Sequence, residues 1–91
     1  MSTHRLSGRL PSHRKFARPI TVTVERNATG NYKVREDATT NYGYGPTKGK
    51  AIAEYKRMLM ADFLFLSREQ HHLSEPLQRE LEWMRQVITW R

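Results

Sequence analysis

From Ile20 to Glu25 the chain reads Ile-Thr-Val-Thr-Val-Glu. Strict apolar–polar alternation in β-branched residues predicts a half-buried strand, with Ile20, Val22 and Val24 toward a core and Thr21, Thr23 and Glu25 toward water. The alternation resumes from Asn31 to Glu36, where Tyr32 and Val34 point inward and Lys33 and Arg35 outward. Between the two runs, Asn27 to Asn31 is a turn cluster in which Gly30 tolerates positive φ. Together the runs predict a β-hairpin. After a further turn over Asp37 to Thr40, a short third strand is expected at about Asn41 to Tyr44, weakened by Gly43 and Gly45.

At Thr47 the period becomes helical. Ile52, Tyr55, Leu59, Phe63 and Leu66 fall at i, i+3, i+7, i+11 and i+14, and Ala51, Met58 and Phe65 widen the stripe. With Thr47 as N-cap, this predicts a helix from Lys48 to about Ser67, followed by a polar link over Arg68 to His72. A second helix starts at Ser74, with Glu75 at the positive end of its dipole and Pro76 in its first turn. Its apolar stripe is Leu77, Leu81, Met84 and Ile88. The expected fold is α+β: a short antiparallel two- or three-stranded sheet followed by two helices.

Charge changes the picture at the N-terminus. Of the 16 Lys and Arg residues in this 91-residue chain, Arg5, Arg9, Arg14, Lys15 and Arg18 precede Pro19, where there is no acid. The net charge is +7, so residues 20–91 carry only +2 of it. Residues 1–19 mix Ser, Arg, His, Gly and Pro, and Leu6, Leu10 and Phe16 follow no period. They read as a basic, disordered arm attached to one small domain spanning 20–91. Such an arm suits a polyanion, DNA or RNA, or serves as a solubilising tail. There is no cysteine, so no disulfide or thiolate metal site can staple the fold, and a domain this small gains from a partner or from self-association. The arm lacks the apolar segment of a secretory signal. The apolar run from Met58 to Leu66 is interrupted by Asp62 and is shorter than the ~20 residues of a membrane span, so no membrane contact and a cytoplasmic location are expected.

Candidate chemistry is sparse. Gly43 to Lys50 resembles a phosphate-binding loop only superficially, because the spacing of Gly43, Gly45 and Gly49 is wrong and Ala51 follows Lys50. Lys48 and Lys50 lie in a first helical turn, where free amides attract anions, although lysines there oppose the helix dipole. His71 and His72 are adjacent and diverge, which suits a solvated link better than a metal site. No catalytic constellation can be assembled, so no enzyme, cofactor or metal is expected. Tyr32, Tyr42 and Tyr44 beside Lys33 and Arg35 fit an aromatic–basic sheet face for single-stranded nucleic acid, but the alternation places Tyr32 with Val34 on the core side. Tyr42, Tyr44, Trp83 and Trp90 are the candidate partner interface. Arg5, Arg9, Arg14, Lys15 and Arg18 are the leading nucleic-acid or anion contacts, with Lys48 and Lys50 next.

The order of signals resembles the N-terminal domain of HicB-like antitoxins. The matching features are the strand Ile20 to Glu25, the turn at Gly30, the aromatic strand Tyr32 to Arg35, Gly43 and Gly45, Thr47 as cap, and Ala51. Leu73-Ser74 and the stretch Leu81 to Arg85 are similar to small members that end in helices. The resemblance implies an antitoxin that occludes a small toxin ribonuclease, often with a separate DNA-binding segment. Gly49 and Lys50 stand where the family has two acids, no DNA-binding module follows, and the chain is basic. The first and the last of these departures shift weight toward nucleic-acid contact. The expectation is therefore a non-enzymatic, antitoxin-like regulatory protein that binds a protein partner, either a toxin-like ribonuclease or a second copy in a homodimer. The alternatives are a nucleic-acid-binding accessory protein acting through its arm, and a small subunit of a larger assembly.

Overall fold

A computed structural model describes all residues, Met1–Arg91, and shows an α+β fold in which antiparallel strands precede two helices. The expected hairpin forms from β4 (Ile20–Arg26) and β5 (Tyr32–Arg35), and the third strand, β6 (Tyr42–Gly45), pairs with β5. Ile20, Val22, Val24 and Val34 are buried, as their alternation requires. The hairpin turn is tied by Asn27, whose Oδ1 accepts from the amides of Thr29 and Asn31, while Gly30 takes φ 87°.

Helix α1 (Lys48–Arg68) begins where expected: the Thr47 hydroxyl accepts from the Lys50 amide at 3.1 Å. Ala51, Tyr55, Leu59, Phe63 and Leu66 are buried along one stripe. Met58 and Phe65, expected to widen that stripe, are exposed, and Met60 is buried instead. At about 100° per residue, Met58 and Met60 lie on opposite flanks of Leu59, and only the Met60 flank is covered. Helix α2 (Glu75–Val87) starts at Ser74 with Pro76 in its first turn, although the Ser74 hydroxyl makes no capping bond.

The N-terminal residues are folded, which corrects the expectation of a disordered arm on a domain starting at 20. They form β1 (Ser2–Leu6), β2 (Arg9–Leu10) and β3 (Arg14–Phe16). β1 pairs with β4 from Ser2↔Val24 to Leu6↔Ile20, completing a four-stranded sheet of order β1-β4-β5-β6. β3 pairs with β7 (Ile88–Trp90), giving a three-stranded sheet of order β2-β3-β7. Leu6, Leu10 and Phe16 enter one core of 17 buried apolar residues with the hairpin and the helices. Strands of two to five residues are too short for a period to show in the sequence. Ile88, expected on the last helical stripe, is instead extended and buried opposite Phe16, because pairing with β3 draws the chain out of the helix.

The layers are set by β6. α1 lies across β5 and β6, and α2 packs on α1 and β7. A Cβ at Gly43 would fall on the Tyr55 amide nitrogen and the Ala51 carbonyl oxygen of α1. The helix backbone therefore rests directly on the strand, and on the opposite face of the four-stranded sheet Trp83 of α2 borders a recess with Thr3, Thr21 and Thr23. No helix is long and apolar enough to cross a membrane.

Two consequences are measurable. Gly43→Ala forces backbone against backbone, and urea denaturation should show a loss of about 3 kcal/mol, the upper end of the usual cost of overpacking. Removing residues 1–19 strips three buried side chains worth roughly 1.5–3 kcal/mol each, against a typical total stability of about 5–15 kcal/mol. That truncated chain should lose its cooperative unfolding transition in circular dichroism, whereas loss of a disordered arm would leave the transition unchanged.

Candidate functional site

The face of the four-stranded sheet opposite α1 is built by alternation. Because Gly43 and Gly45 occupy the helix side of β6, Tyr42 and Tyr44 project to the other side, where they are 47% and 48% exposed. The register aligns Thr3, Thr23, Arg35 and Tyr42 in one row and Glu25, Lys33 and Tyr44 in the next, with Arg5 beside Thr21. The two tyrosine rings meet edge to face at 5.2 Å between centroids. Lys33 Nζ lies 5.2 Å and 5.8 Å from the two ring centres. Arg35 is committed to carboxylates, donating to Asp37 at 3.1 Å and Glu25 at 3.3 Å. Tyr32 is half-buried against the core, as its parity with Val34 predicts.

Beside Tyr42 is a shallow recess of about 280 Å³, lined by Lys33, Arg35, Asp37, Thr40 and Asn41 among others. Its floor is the loop 36–41, which hydrogen bonds fasten to both helices. Glu36 is only 6% exposed, accepts from Tyr55 Oη at 2.8 Å and from the Thr39 hydroxyl, and has no ion-pair partner. Burial, reinforced by the adjacent Glu36 carboxylate, pushes the Tyr55 phenol far above its ordinary range. Asn41 Nδ2 donates to Asp62 at 3.0 Å on α1, and the Thr40 amide donates to Glu80 at 2.9 Å on α2. Glu36 was detectable in the sequence only through its parity with Tyr32 and Val34, which aims it inward.

The structure disperses the other candidates. Arg5 joins the open face of the large sheet. Arg9 and Lys15 stand opposite each other on exposed positions of the small sheet. Arg14, expected as a free phosphate contact, is instead held on the core side: its guanidinium stacks 3.5 Å from the Trp90 ring centre and 5.4 Å from that of Phe63. Arg18 is exposed in the link from β3 to β4. Lys48 and Lys50 are exposed in the first turn of α1. Thirteen residues separate Lys50 from Phe63, which puts these lysines about 20 Å along the helix from the Arg14 cluster. Trp83 is half-buried against the core and lines a recess with Thr3, Thr21 and Thr23, and Trp90 lies on β7 rather than on a helix, 64% exposed.

No group of three or more His, Asp or Glu side chains is arranged to hold a metal ion. What the geometry offers is surface: one face with tyrosines and an arginine shared between two carboxylates, and a second, smaller sheet whose cations have no ion pairs. No protein-family model, curated protein or solved structure matches the chain.

The loop that supports the recess carries a pH signature. Burial raises the Glu80 carboxyl above its usual range, and the nearby Asp62 and Glu36 carboxylates add to the shift against the bond from the Thr40 amide. Because the folded value lies above the unfolded one, the contribution of Glu80 is in place below the ordinary glutamate range. It is lost as pH rises through the raised folded value. Glu80→Gln keeps an oxygen for the Thr40 amide and removes the charge. Urea titrations should find it equal to wild type near pH ~4 and more stable near pH ~7.

Proposed function

We propose that the chain is a non-enzymatic, antitoxin-like regulatory protein that holds a small protein partner on the open face of its four-stranded sheet. The observation that carries this is the tyrosine-bearing face itself, with Tyr42 and Tyr44 half-exposed on its edge strand β6 and Arg35 already neutralised by Glu25 and Asp37. Tyrosine and arginine are enriched in protein interfaces, whereas a polyanion site needs cations that are free of carboxylates. A second observation supports a protein partner: β6 ends the strand order, so a segment reaching the tyrosines also meets an unpaired backbone edge. The partner class, a small ribonuclease, comes from the likeness of this strand-turn-strand-helix order to HicB-like antitoxins.

The test is capture from nuclease-treated host lysate by the full chain and by a Tyr42→Ala/Tyr44→Ala variant, followed by a ribonuclease assay on whatever is captured. A stoichiometric small ribonuclease should be captured and silenced by the wild-type chain. The double variant should bind it at least about 30-fold more weakly, as loss of roughly 2 kcal/mol at an interface centre implies. A captured protein that binds the variant equally well, or whose activity the chain leaves untouched, overturns the proposal.

A further inference from the structure

We infer that the outward face of the small β2-β3-β7 sheet is a binding site for the phosphodiester backbone of a single-stranded nucleic acid, separate from the partner face of the large sheet. The inference begins with charge. Residues 7–19 and 88–91, which contain this sheet, hold Arg9, Arg14, Lys15, Arg18 and Arg91 and no acidic side chain. None of these cations has a carboxylate within ion-pair distance. On the large sheet, by contrast, the arginine beside the tyrosines is shared between two carboxylates.

The register sharpens the point. Arg9 is the direct cross-strand partner of Lys15, and Lys15 is that of Thr89. All three are exposed. Like charges directly opposite each other on a sheet are destabilising. A fold that brings two cations into register with no acid nearby therefore has an unmet demand for anion, which a row of phosphates satisfies while releasing counterions. Thr89 adds a hydroxyl donor to the same row.

Trp90 supplies a second, independent observation. It lies on β7 at the edge of this sheet, opposite Arg14 and so on the other face from Arg9, Lys15 and Thr89; it is 64% exposed, and its ring is held by the Arg14 guanidinium stacked at 3.5 Å. The row Arg9–Lys15–Thr89 runs to this edge, and a strand crossing the edge can lay an unpaired base on the exposed indole. Stacking needs a base outside a duplex, so the combination of cations and an open indole favours a single strand over double-stranded DNA.

The test is fluorescence anisotropy of labelled dT and rU oligonucleotides of about 20 nucleotides, and of a duplex DNA of that length, titrated with the full chain over a range of salt. Binding should weaken with salt and favour the single strands. The tighter of dT and rU then identifies the source of the strand. Arg9→Glu/Lys15→Glu changes only exposed positions, so its fold should survive, as circular dichroism will show. It should lower affinity by roughly tenfold or more and flatten the salt slope by about 1.4, the share of two phosphates on a single strand. Trp90→Ala should weaken binding by about 5-fold or more with the salt slope unchanged, because stacking releases no counterions. Lys48→Glu/Lys50→Glu imposes the same change of net charge at the far end of α1 and should leave affinity within about twofold. Equal losses from the two charge reversals would show only a general attraction to a basic protein and overturn the inference, as would duplex bound as tightly as single strands. Tyr42→Ala/Tyr44→Ala should bind the oligonucleotides normally. If it alone fails to bind them, the nucleic acid belongs on the large sheet and this inference fails. If it binds them normally yet no ribonuclease is captured, the partner proposal fails and this one stands.

Discussion

The contact on which the rest of the molecule depends is the one between the backbone of α1 and the backbone of β6. Gly43 and Gly45 face the helix, and at both positions a methyl group would collide with its main chain. This close seating determines three other features. It sends Tyr42 and Tyr44 to the opposite face by simple alternation. It places Tyr55 so that its phenol reaches the buried Glu36 at the end of β5. It also brings the loop 36–41 between the helices, where Asn41 meets Asp62 and Thr40 meets Glu80. The face proposed for partner binding is therefore a by-product of a packing requirement on the other side of the same strand.

That loop concentrates polar atoms at the centre of a small domain. Glu36 is buried with hydrogen bonds but without a cation, an arrangement whose cost is limited by the two hydroxyls it accepts from. Asp62 and Glu80 stand nearby and are satisfied by an amide side chain and a backbone amide. Three carboxylates within reach of one another hold the loop while repelling each other. Through Glu80, whose carboxyl is raised above its usual range by burial, the support of the recess beside Tyr42 is sensitive to protonation.

The two sheets divide the charge of the molecule. On the open face of the large sheet Arg35 is paired with Glu25 and Asp37 and Lys33 lies against the tyrosine rings, and its edge and tyrosines suit a protein surface. The small sheet collects cations alone, because its strands come from the first 16 residues and the last four, both free of acid. Pairing of β3 with β7 also closes the chain end to end: the Ala17 amide donates to Val87, and the Arg91 amide to His13. With no disulfide available, this closure lets both termini contribute to one core.

Local pattern alone determined the hairpin, the third strand, both helices and their starts, because alternation and the 3.6-residue period are properties of short segments. It even determined which side of β5 Lys33 and Arg35 would occupy. Tertiary structure decided what those segments meet. Residues 2–16 have no period of their own and become strands only because β4 and β7 offer unpaired edges. Ile88 leaves its helix for the same reason. Gly43 and Gly45 weaken a strand in isolation, yet they are what allow the helix to seat on it. The fate of the basic residues followed suit. Their number was visible from the start, but only the fold separates Arg14 under Trp90 from Arg9 and Lys15 in the open, because register and stacking join positions more than seventy residues apart.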